Sequence, residues 1–261
     1  MSDYRSRLKQ DFSKASHSYG ELSTIQQQNY LYAYEYLVAQ TTDVLRTVNP
    51  QAKAIDIGVG SGVGLNGLLR SFPELVHLKW HMCDLSFGML EANLLQFPKV
   101  VADAAQLPWA NHSFHFTLSN FALHWSDNLQ GALSELVRIT EHKGSILVSL
   151  PVNGSFSILE RAWSSQGLSS PLHQMPQESL LLKYLDELEL SFFTRRRTLS
   201  LDLKTPQACF EWLKKTGVRR KNGAENRMTK GQYKGIVKSL SEQLANGQAL
   251  SFEMMDIIIN K

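Results

Sequence analysis

The stretch Ala54-Ile55-Asp56-Ile57-Gly58-Val59-Gly60-Ser61-Gly62 decides how this chain folds. An apolar strand runs into an acid, and three glycines follow at alternate positions. Glycine permits positive φ and close approach of the backbone, so such a turn can press its peptide groups against a ligand. The acid supplies a carboxylate at the strand end, suited to an ammonium group or a ribose hydroxyl. A glycine turn without a ligand is the alternative, and the entropy cost of three glycines disfavours it.

Two other nucleotide-binding patterns can be tested on the same glycines. A dinucleotide site needs G-x-G-x-x-G directly after the strand, but the sixth position counted from Gly58 is Val63. A literal match runs from Gly62 to Gly67, inside a predicted helix. No lysine follows the glycines at the spacing of a phosphate-binding Walker loop. The turn therefore predicts neither of these sites.

Around the glycines, short apolar runs alternate with helical stretches. The predicted strands are 54–57, 75–82, 100–102, 114–118 and 146–150. The predicted helices between them are 63–70, 87–96 and 129–141. This alternation predicts an α/β fold, a largely parallel Rossmann-like sheet with helices on both faces. Right-handed crossovers place the first strand centrally, with its carboxyl end at the ligand crevice.

The flanking sequence predicts four parts in the chain. Residues 21–46 form a helical pattern, and after Pro151 come further predicted elements: helices 156–166, 177–188, 206–215 and 230–244, and strands 190–203 and 249–259. We expect an N-terminal helical segment over the active site (1–50) and a cofactor-binding Rossmann-like core (51–203). A helical lid insertion (204–248) and a final strand of the core sheet (249–261) follow.

Composition narrows the functional classes. The chain has 261 residues, of which 43% are hydrophobic and 20% charged, as in an ordinary globular protein with a sizeable core. A net charge of +3 does not argue for nucleic acid, and no apolar run approaches the roughly 20 residues that span a bilayer. The polar N-terminus is unlike a secretory signal. Two cysteines make neither a disulfide framework nor a zinc site, so we expect a cytoplasmic protein without a metal.

Two further acids follow predicted strands. Asp84 ends the second strand, where a carboxylate can accept both ribose hydroxyls, or it caps the helix that follows. Asp103 follows the third strand, where it can accept the adenine amino group or act as a turn residue. Together with the glycine turn, they predict a nucleoside-binding crevice.

These residues resemble the class I S-adenosylmethionine-dependent methyltransferases, whose acid-x-Gly-x-Gly-x-Gly pattern is matched by Asp56 and the three glycines. The resemblance implies that Asp56 meets the methionine ammonium, Asp84 the ribose and Asp103 the adenine. Leu85 and Met89 would then pack on the adenine face, with Asn120 at the end of the fourth strand. The cofactor-binding residues implied in this way are Gln26, Asp56, Gly58, Gly60, Asp84, Leu85, Met89, Asp103, Ala104 and Asn120.

A closer resemblance extends over most of the chain. The segments 11–19, 119–129 and 210–217, and the helix opening at 228–233, are similar to the malonyl-acyl-carrier-protein O-methyltransferases of biotin synthesis. The trans-aconitate methyltransferases share the first two features but match the third less well. The resemblance implies S-adenosylmethionine as cofactor and malonyl-acyl-carrier protein as acceptor.

The chemistry implied is displacement of a methyl group from sulfur by a carboxylate. A carboxylate is already ionised near neutral pH, so no general base is required. His17 and His124 are candidates, but each lies beside aromatic or apolar residues, where a packed imidazole is the plainer interpretation. Positioning alone can contribute roughly 7–11 kcal/mol.

The resemblance also implies residues at the acceptor. Tyr19 would lie near the transferred methyl group as a catalytic and substrate-binding residue. Trp125 would bind substrate, and with Phe121 it would exclude water and face the sulfonium, a cation–π contribution of about 0.5–2 kcal/mol. Ordinary core packing is the alternative for both rings.

Clustered cations could orient the acceptor. Arg219 and Arg220 are candidates for binding the malonyl carboxylate, because a guanidinium matches a carboxylate in a planar fork. A wider basic run could dock an acidic carrier protein or be a solvated face; it consists of Lys214, Lys215, Arg219, Arg220 and Lys221. A second cluster, 195–197, lies in a predicted strand, where its charges could keep other chains from pairing with a sheet edge.

Two rival functions remain open. The same fold could methylate a small-molecule acid such as trans-aconitate, or serve as a non-catalytic binding protein. A nucleic-acid methyltransferase is disfavoured, because Ser119-Asn120-Phe121-Ala122 stands where base-flipping enzymes carry Asn/Asp-Pro-Pro-aromatic.

Overall fold

The fold is a seven-stranded sheet flanked by helices, seen in a computed structural model that describes residues 24–41, 51–216 and 228–261. The strands are β1 Lys53–Ile57, β2 Lys79–Asp84, β3 Lys99–Val101, β4 Phe114–Asn120, β5 Thr140–Val152, β6 Ser191–Leu201 and β7 Leu250–Asn260. They are ordered β3-β2-β1-β4-β5-β7-β6. Strands β1 to β5 are parallel, and β7 runs antiparallel to both β5 and β6. The predicted α/β sheet with a central first strand is confirmed.

Eight α-helices lie in the described residues. They are α1 Thr24–Gln40, α2 Val63–Ser71, α3 Phe87–Ala92, α4 Leu129–Ile139, α5 Ser157–Ser164, α6 Glu178–Asp186, α7 Pro206–Thr216 and α8 Lys230–Ala245. Short 3-10 helices occupy Pro73–His77 and Leu123–Trp125. None of the described helices has both the length and the apolar character needed to cross a membrane.

Three apolar clusters hold these elements together. On one face of the sheet, α4 and α6 pack through residues such as Leu136 and Leu181. On the other face, α1 and α2 pack through residues such as Leu37 and Leu68. A third cluster joins α5, α7 and α8 to the first half of β7, around Phe252. Helices thus cover both faces, and the third cluster extends the core beyond the carboxyl ends of the parallel strands.

Side-chain caps fix where the helices beside the carboxyl ends begin. The Ser86 hydroxyl accepts a hydrogen bond from the Met89 amide at the start of α3, and the Asn128 side chain accepts one from the Gly131 amide at the start of α4. Such caps contribute about 1 kcal/mol each. Ser86, rather than Asp84, caps α3, so the helix-cap alternative for Asp84 was wrong.

Several predicted boundaries move in the structure. The strand expected over 75–82 begins at Lys79, because Pro73 opens a 3-10 helix that ends at His77. The helix expected over 87–96 ends at Ala92, where the Asn93 side chain accepts a hydrogen bond from the Leu95 amide and turns the chain. Helix α1 ends at Gln40 rather than at residue 46.

The three arginines of β6 form ion pairs within the protein. Strand β6 is the sheet edge, but Arg195 and Arg197 both pair with Asp256 on β7, at 2.8 and 2.7 Å. Arg196 pairs instead with Glu178, at 2.7 Å, and lies 3.7 Å from Glu253. These charges are therefore matched by acids within the protein, and their role in keeping other chains from this sheet edge stays a prediction.

Candidate cofactor site

The glycine turn follows β1 and is held against β2 by its backbone. Gly58, Gly60 and Gly62 adopt φ values of +78°, +58° and +78°, which only glycine reaches without strain. The Cys83 carbonyl accepts hydrogen bonds from the amides of Gly58, at 2.7 Å, and Val59, at 3.1 Å. Gly62 ends the turn as the residue preceding α2. The glycines thus form a turn with positive φ values, and its close approach to a ligand stays a prediction.

Gly58 and Gly60 offer a matched pair for testing the turn. A Cβ on Gly58 would lie 2.1 Å from the Cβ of Ala122, whereas a Cβ on Gly60 would meet nothing within 4 Å. Gly58→Ala should therefore lower the free energy of unfolding by at least about 2 kcal/mol, through overlap and backbone strain together. Gly60→Ala carries the backbone strain alone and should cost about 1 kcal/mol. Urea denaturation of both variants measures the difference, and equal losses would contradict the proposed contact.

A cavity of about 140 Å³ opens at the carboxyl ends of the parallel strands β1 to β4. Its lining includes most of the residues predicted to bind the cofactor: Gln26, Gly58, Gly60, Asp84, Leu85, Met89, Asp103, Ala104 and Asn120. Trp125, predicted at the acceptor, also lines it. Asp56 is fully buried and is not part of the lining. Tyr19, Arg219 and Arg220 lie outside the described residues.

Asp84 projects from the end of β2 and is tied to the glycine turn. Its Oδ2 accepts a hydrogen bond from the Gly60 amide at 2.9 Å, and its Oδ1 accepts one from the Ser86 amide at 2.8 Å. Burial raises the pKa of this carboxyl, while the hydrogen bonds from Ser86 and Gly60 oppose the shift. The Leu85 amide opposes the shift in the same way. A carboxylate has about four acceptor sites, so the side chain can still accept a hydrogen bond from a hydroxyl at the cavity wall.

Asp103 is a turn residue that also lines the cavity, and its contact with adenine stays a prediction. Its Oδ1 accepts a hydrogen bond from the Ala105 amide at 2.9 Å, which stabilises the turn after β3. The residue also lines the cavity, beside Ala102 and Ala104. The turn holds the carboxylate in place without removing it from the cavity.

Asp56 lies beneath the cavity with one oxygen paired. The Tyr30 hydroxyl donates to Oδ2 at 2.6 Å, and Oδ1 is buried without a hydrogen-bond partner among the described residues. Burial, with a smaller contribution from nearby Asp84, raises the pKa of this carboxyl to about 7 against the opposing hydrogen bond from Tyr30. A buried acceptor of this kind gains most from a cationic or donor group bound next to it.

Aromatic rings close the side of the cavity that follows β4. Phe121 lines it with φ at +53° and packs edge-on against Phe252, with ring centroids 5.1 Å apart. Trp125 stacks on His173 at 4.4 Å. His124 does not line the cavity, and burial lowers the pKa of its imidazole well below the usual value. A neutral, packed His124 fits the structural interpretation made from sequence; His17 lies outside the described residues.

Sequence reasoning missed Tyr30, which both lines the cavity and holds Asp56. Tyr30 lies within the helical pattern predicted over residues 21–46, which gives it no role at the site. A signal was available in Gly64, a glycine inside α2, where a Cβ would lie 2.3 Å from the Tyr30 ring. The glycine makes room for the ring, which brings α1 close enough to reach the cavity.

Comparison with known proteins now identifies the core. Residues 55–148, which run from β1 into β5, match the family described as "Methyltransferase domain". This part of the chain is a methyltransferase domain. S-adenosylmethionine is its cofactor.

Two relatives that align with more of the chain than this segment are also methyltransferases. The chain is 28% identical over 173 residues to a malonyl-[acyl-carrier protein] O-methyltransferase of Halorhodospira halophila, covering 64% of this chain and 55% of that protein. It therefore spans about half the length of that relative. A protein of the same description from Marinomonas sp. is 25% identical over 222 residues, covering 82% of this chain and 77% of that one.

The fold has solved counterparts. A S-adenosylmethionine-dependent methyltransferase of Thermotoga maritima, described as a possible histamine N-methyltransferase, superimposes with a TM-score of 0.54. The match covers 97% of this chain and 99% of that one at 16% identity, and it establishes the class I methyltransferase fold alone.

The residues of the cavity fit the cofactor of the methyltransferase domain. The buried, unpartnered Oδ1 of Asp56 suits an ammonium group, and the Asp84 carboxylate suits ribose hydroxyls. Gly58 and Gly60 leave the turn backbone open to the cavity. The assignment of individual residues to parts of the cofactor remains a prediction.

Proposed function

We propose that the protein is an S-adenosylmethionine-dependent O-methyltransferase that esterifies the free carboxylate of malonyl-acyl-carrier protein, a reaction of biotin synthesis. The observation that carries the methyl-transfer part is the cavity at the carboxyl ends of β1 to β4, lined by Asp84, Asp103 and the glycine turn. The acceptor is supported by the segments shared with malonyl-acyl-carrier-protein methyltransferases and by relatives of that description at 25–28% identity.

Asp56, Asp84 and Asp103 divide the binding of the cofactor in this proposal. Asp84 accepts hydrogen bonds from the ribose hydroxyls, Asp103 accepts one from the adenine amino group, and Asp56 neutralises the ammonium from below. Leu85, Met89 and Ala104 supply apolar contacts around the base. When bound, S-adenosylmethionine supplies a methyl group on a sulfonium, which a nucleophile displaces in line.

The acceptor side needs alignment rather than proton transfer. A malonyl carboxylate is ionised near neutral pH, so no base has to act, and the neutral, buried His124 is consistent with this. Phe121 and Trp125 exclude water from the cavity mouth. We assign Tyr19 to a hydrogen bond with the acceptor carboxylate, and Arg219 or Arg220 to its orientation.

A carrier protein also needs a docking surface. Lys214 and Lys215 are exposed in the last turn of α7, directly before the segment that carries Arg219 and Arg220. Clustered cations attract an acidic partner over about 10 Å at moderate salt and mainly speed association. We propose that residues 204–248 act as a lid that receives the carrier protein through this basic run.

The reaction itself is the test of this proposal. Purified protein, S-adenosylmethionine and malonyl-acyl-carrier protein should give a carrier whose intact mass has risen by one methylene. The free carrier without its malonyl group should not change. The rate should fall steeply as salt rises, since the docking charges are exposed.

The rivals give different results in the same assay. A small-acid methyltransferase would transfer methyl to trans-aconitate or another free acid, with little dependence on salt. A non-catalytic binding protein would bind S-adenosylhomocysteine and transfer no methyl group to any acid. No transfer to malonyl-acyl-carrier protein, with cofactor binding intact, refutes the proposed acceptor but not the cofactor.

A further inference from the structure

A buried polar network connects the edge strand β6 to the cavity. It begins at Asp256, which is fully buried in β7 and pairs with Arg195 and Arg197. Arg197 Nε and Nη2 lie 2.7 and 3.0 Å from the two oxygens of this carboxylate. The Ser149 hydroxyl donates to Asp256 Oδ1 at 2.5 Å.

Asn29 of α1 joins this cluster to Asn120 at the end of β4. Arg197 Nη2 donates to Asn29 Oδ1. Asn29 Nδ2 donates to Asn120 Oδ1 and, at 2.7 Å, to the Ser149 hydroxyl. Asn29 is fully buried, and all of its side-chain polar atoms have partners.

The network has a defined direction because a guanidinium can only donate. Arg197 therefore requires the oxygen of the Asn29 amide to face it, which turns the Asn29 nitrogen toward Asn120. Asn120 must then present its oxygen to Asn29 and its nitrogen elsewhere. One N–H of Asn120 donates to the Gln26 carbonyl at 3.1 Å, and the other has no acceptor among the described residues.

The remaining N–H of Asn120 belongs to a residue that lines the cavity. In the sheet, β4 lies on the side of β1 opposite to β2 and β3, which carry the acids assigned to ribose and adenine. Asn120 is therefore at the end of the cavity away from the nucleoside. If the proposed function holds, the oxygen acceptors expected there are carboxylates, either of the cofactor's amino-acid part or of the methyl acceptor.

We infer that Arg197, acting through Asn29, holds the Asn120 amide as a hydrogen-bond donor to a carboxylate bound in the cavity. Asn120 is the contact residue, and Asn29 and Arg197 are positioning residues. This inference takes the cavity's ligands from the proposed function, and it extends the determinants of the site to Arg197 on β6, four strands away from β1. A hydrogen bond from a neutral amide to a charged carboxylate changes affinity by about 10- to 100-fold.

Asn29→Asp is the sharpest variant, because it keeps the shape and the contact with Arg197 but replaces the donor to Asn120 by an acceptor. The Asn120 amide should then reverse and present its oxygen to the bound carboxylate. Calorimetry would compare S-adenosylhomocysteine with 5′-methylthioadenosine, which lacks the amino-acid part. The same measurements in an Asn120→Ala background complete a double-mutant cycle. Arg196→Gln, a charge loss on the same strand without contact to α1, is the control, with binding expected within twofold of wild type.

The two possible carboxylates give different supporting results. If the cofactor's carboxylate is bound, S-adenosylhomocysteine affinity should fall 10- to 100-fold, with methylthioadenosine affinity within threefold of wild type. If the carboxylate of the methyl acceptor is bound instead, cofactor affinity should stay unchanged. The KM for malonyl-acyl-carrier protein should then rise about 10-fold or more at constant kcat. Either effect should disappear when Asn120 is already alanine.

The inference is overturned if neither change occurs, or if the losses from Asn29 and Asn120 substitutions simply multiply. Circular dichroism and thermal melting check folding, and Asn29→Ala, which adds no buried charge, takes the place of Asn29→Asp if that variant does not fold. A failure of this inference can be distinguished from a failure of the proposed methyl acceptor, because the calorimetric samples contain no malonyl-acyl-carrier protein. A wild-type protein that binds no S-adenosylhomocysteine would refute both.

Discussion

Asp84→Ala is expected to weaken the binding of S-adenosylhomocysteine by at least about 100-fold while the protein remains folded. The substitution removes the acceptor for both ribose hydroxyls in our proposal, and hydrogen bonds to a charged group contribute about 1.5–3 kcal/mol each. It also releases the Gly60 amide, which Asp84 holds at 2.9 Å, so the glycine turn loses one of its anchors. Isothermal titration calorimetry measures the affinity, and circular dichroism checks the fold.

Asp202→Ala is the matched control for this experiment. Asp202 is highly exposed and pairs with Lys204, so its loss changes the net charge equally without touching the cavity. Its affinity for S-adenosylhomocysteine should stay within twofold of wild type. Unchanged affinity in Asp84→Ala would refute the ribose assignment and leave Asp84 as an anchor of the turn.

The sequence predicts the central part of this fold because its determinants are local. A strand-end acid followed by alternate glycines specifies a turn, and the turn needs no distant residue to be recognised. Strand and helix periods then place Asp84 and Asp103 at the same edge of the sheet as the turn. The structure brings these residues to one cavity, as the alternation of strands and helices predicts.

Side-chain contacts between segments that are distant in sequence could not be predicted from local patterns. Arg197 meets Asn29 across 168 positions, and Asn120 meets Asn29 across 91. Neither pair has a periodicity or a motif, since each depends on how α1 packs against the sheet. The ion pairs of Arg195 and Arg197 could not be predicted for the same reason. Their acid, Asp256, follows them by about 60 residues and becomes their neighbour only through the antiparallel pairing of β6 and β7.

The electrostatic state of Asp56 likewise depends on packing. The motif places a carboxylate after an apolar run, but it does not reveal whether water reaches that group. In the structure α1 covers it, Tyr30 satisfies one oxygen, and the other is left buried. A ligand-free protein therefore keeps an acid whose ionised form is poorly solvated, which has consequences for stability and for binding.

Asp56→Asn is expected to stabilise the ligand-free protein at pH 8 by about 1–3 kcal/mol, because it removes a buried and poorly solvated negative charge. The amide can still accept from Tyr30, and it carries no charge. The pKa of Asp56 is raised to about 7 in the folded protein, against an ordinary value near 3.9 in the unfolded chain. Between these values the native state binds a proton that the unfolded state lacks, so wild-type stability falls as pH rises from about 4 to 7. The advantage of the variant should therefore be largest above pH 7 and shrink toward pH 4 in urea titrations.

The same substitution should have the opposite effect on binding. If Asp56 neutralises the cofactor ammonium, Asp56→Asn should weaken S-adenosylhomocysteine binding, and wild-type affinity should rise with pH up to about 7. Binding below that pH should release a proton, which calorimetry in buffers of different ionisation enthalpy detects. A variant that is less stable than wild type by the same amount at every pH, with unchanged affinity, would show Asp56 to be an ordinary ionised acid. If ionisation of Asp56 instead destabilises the ligand-free protein and the bound cofactor restores that stability, then cofactor binding and folding are coupled through this residue.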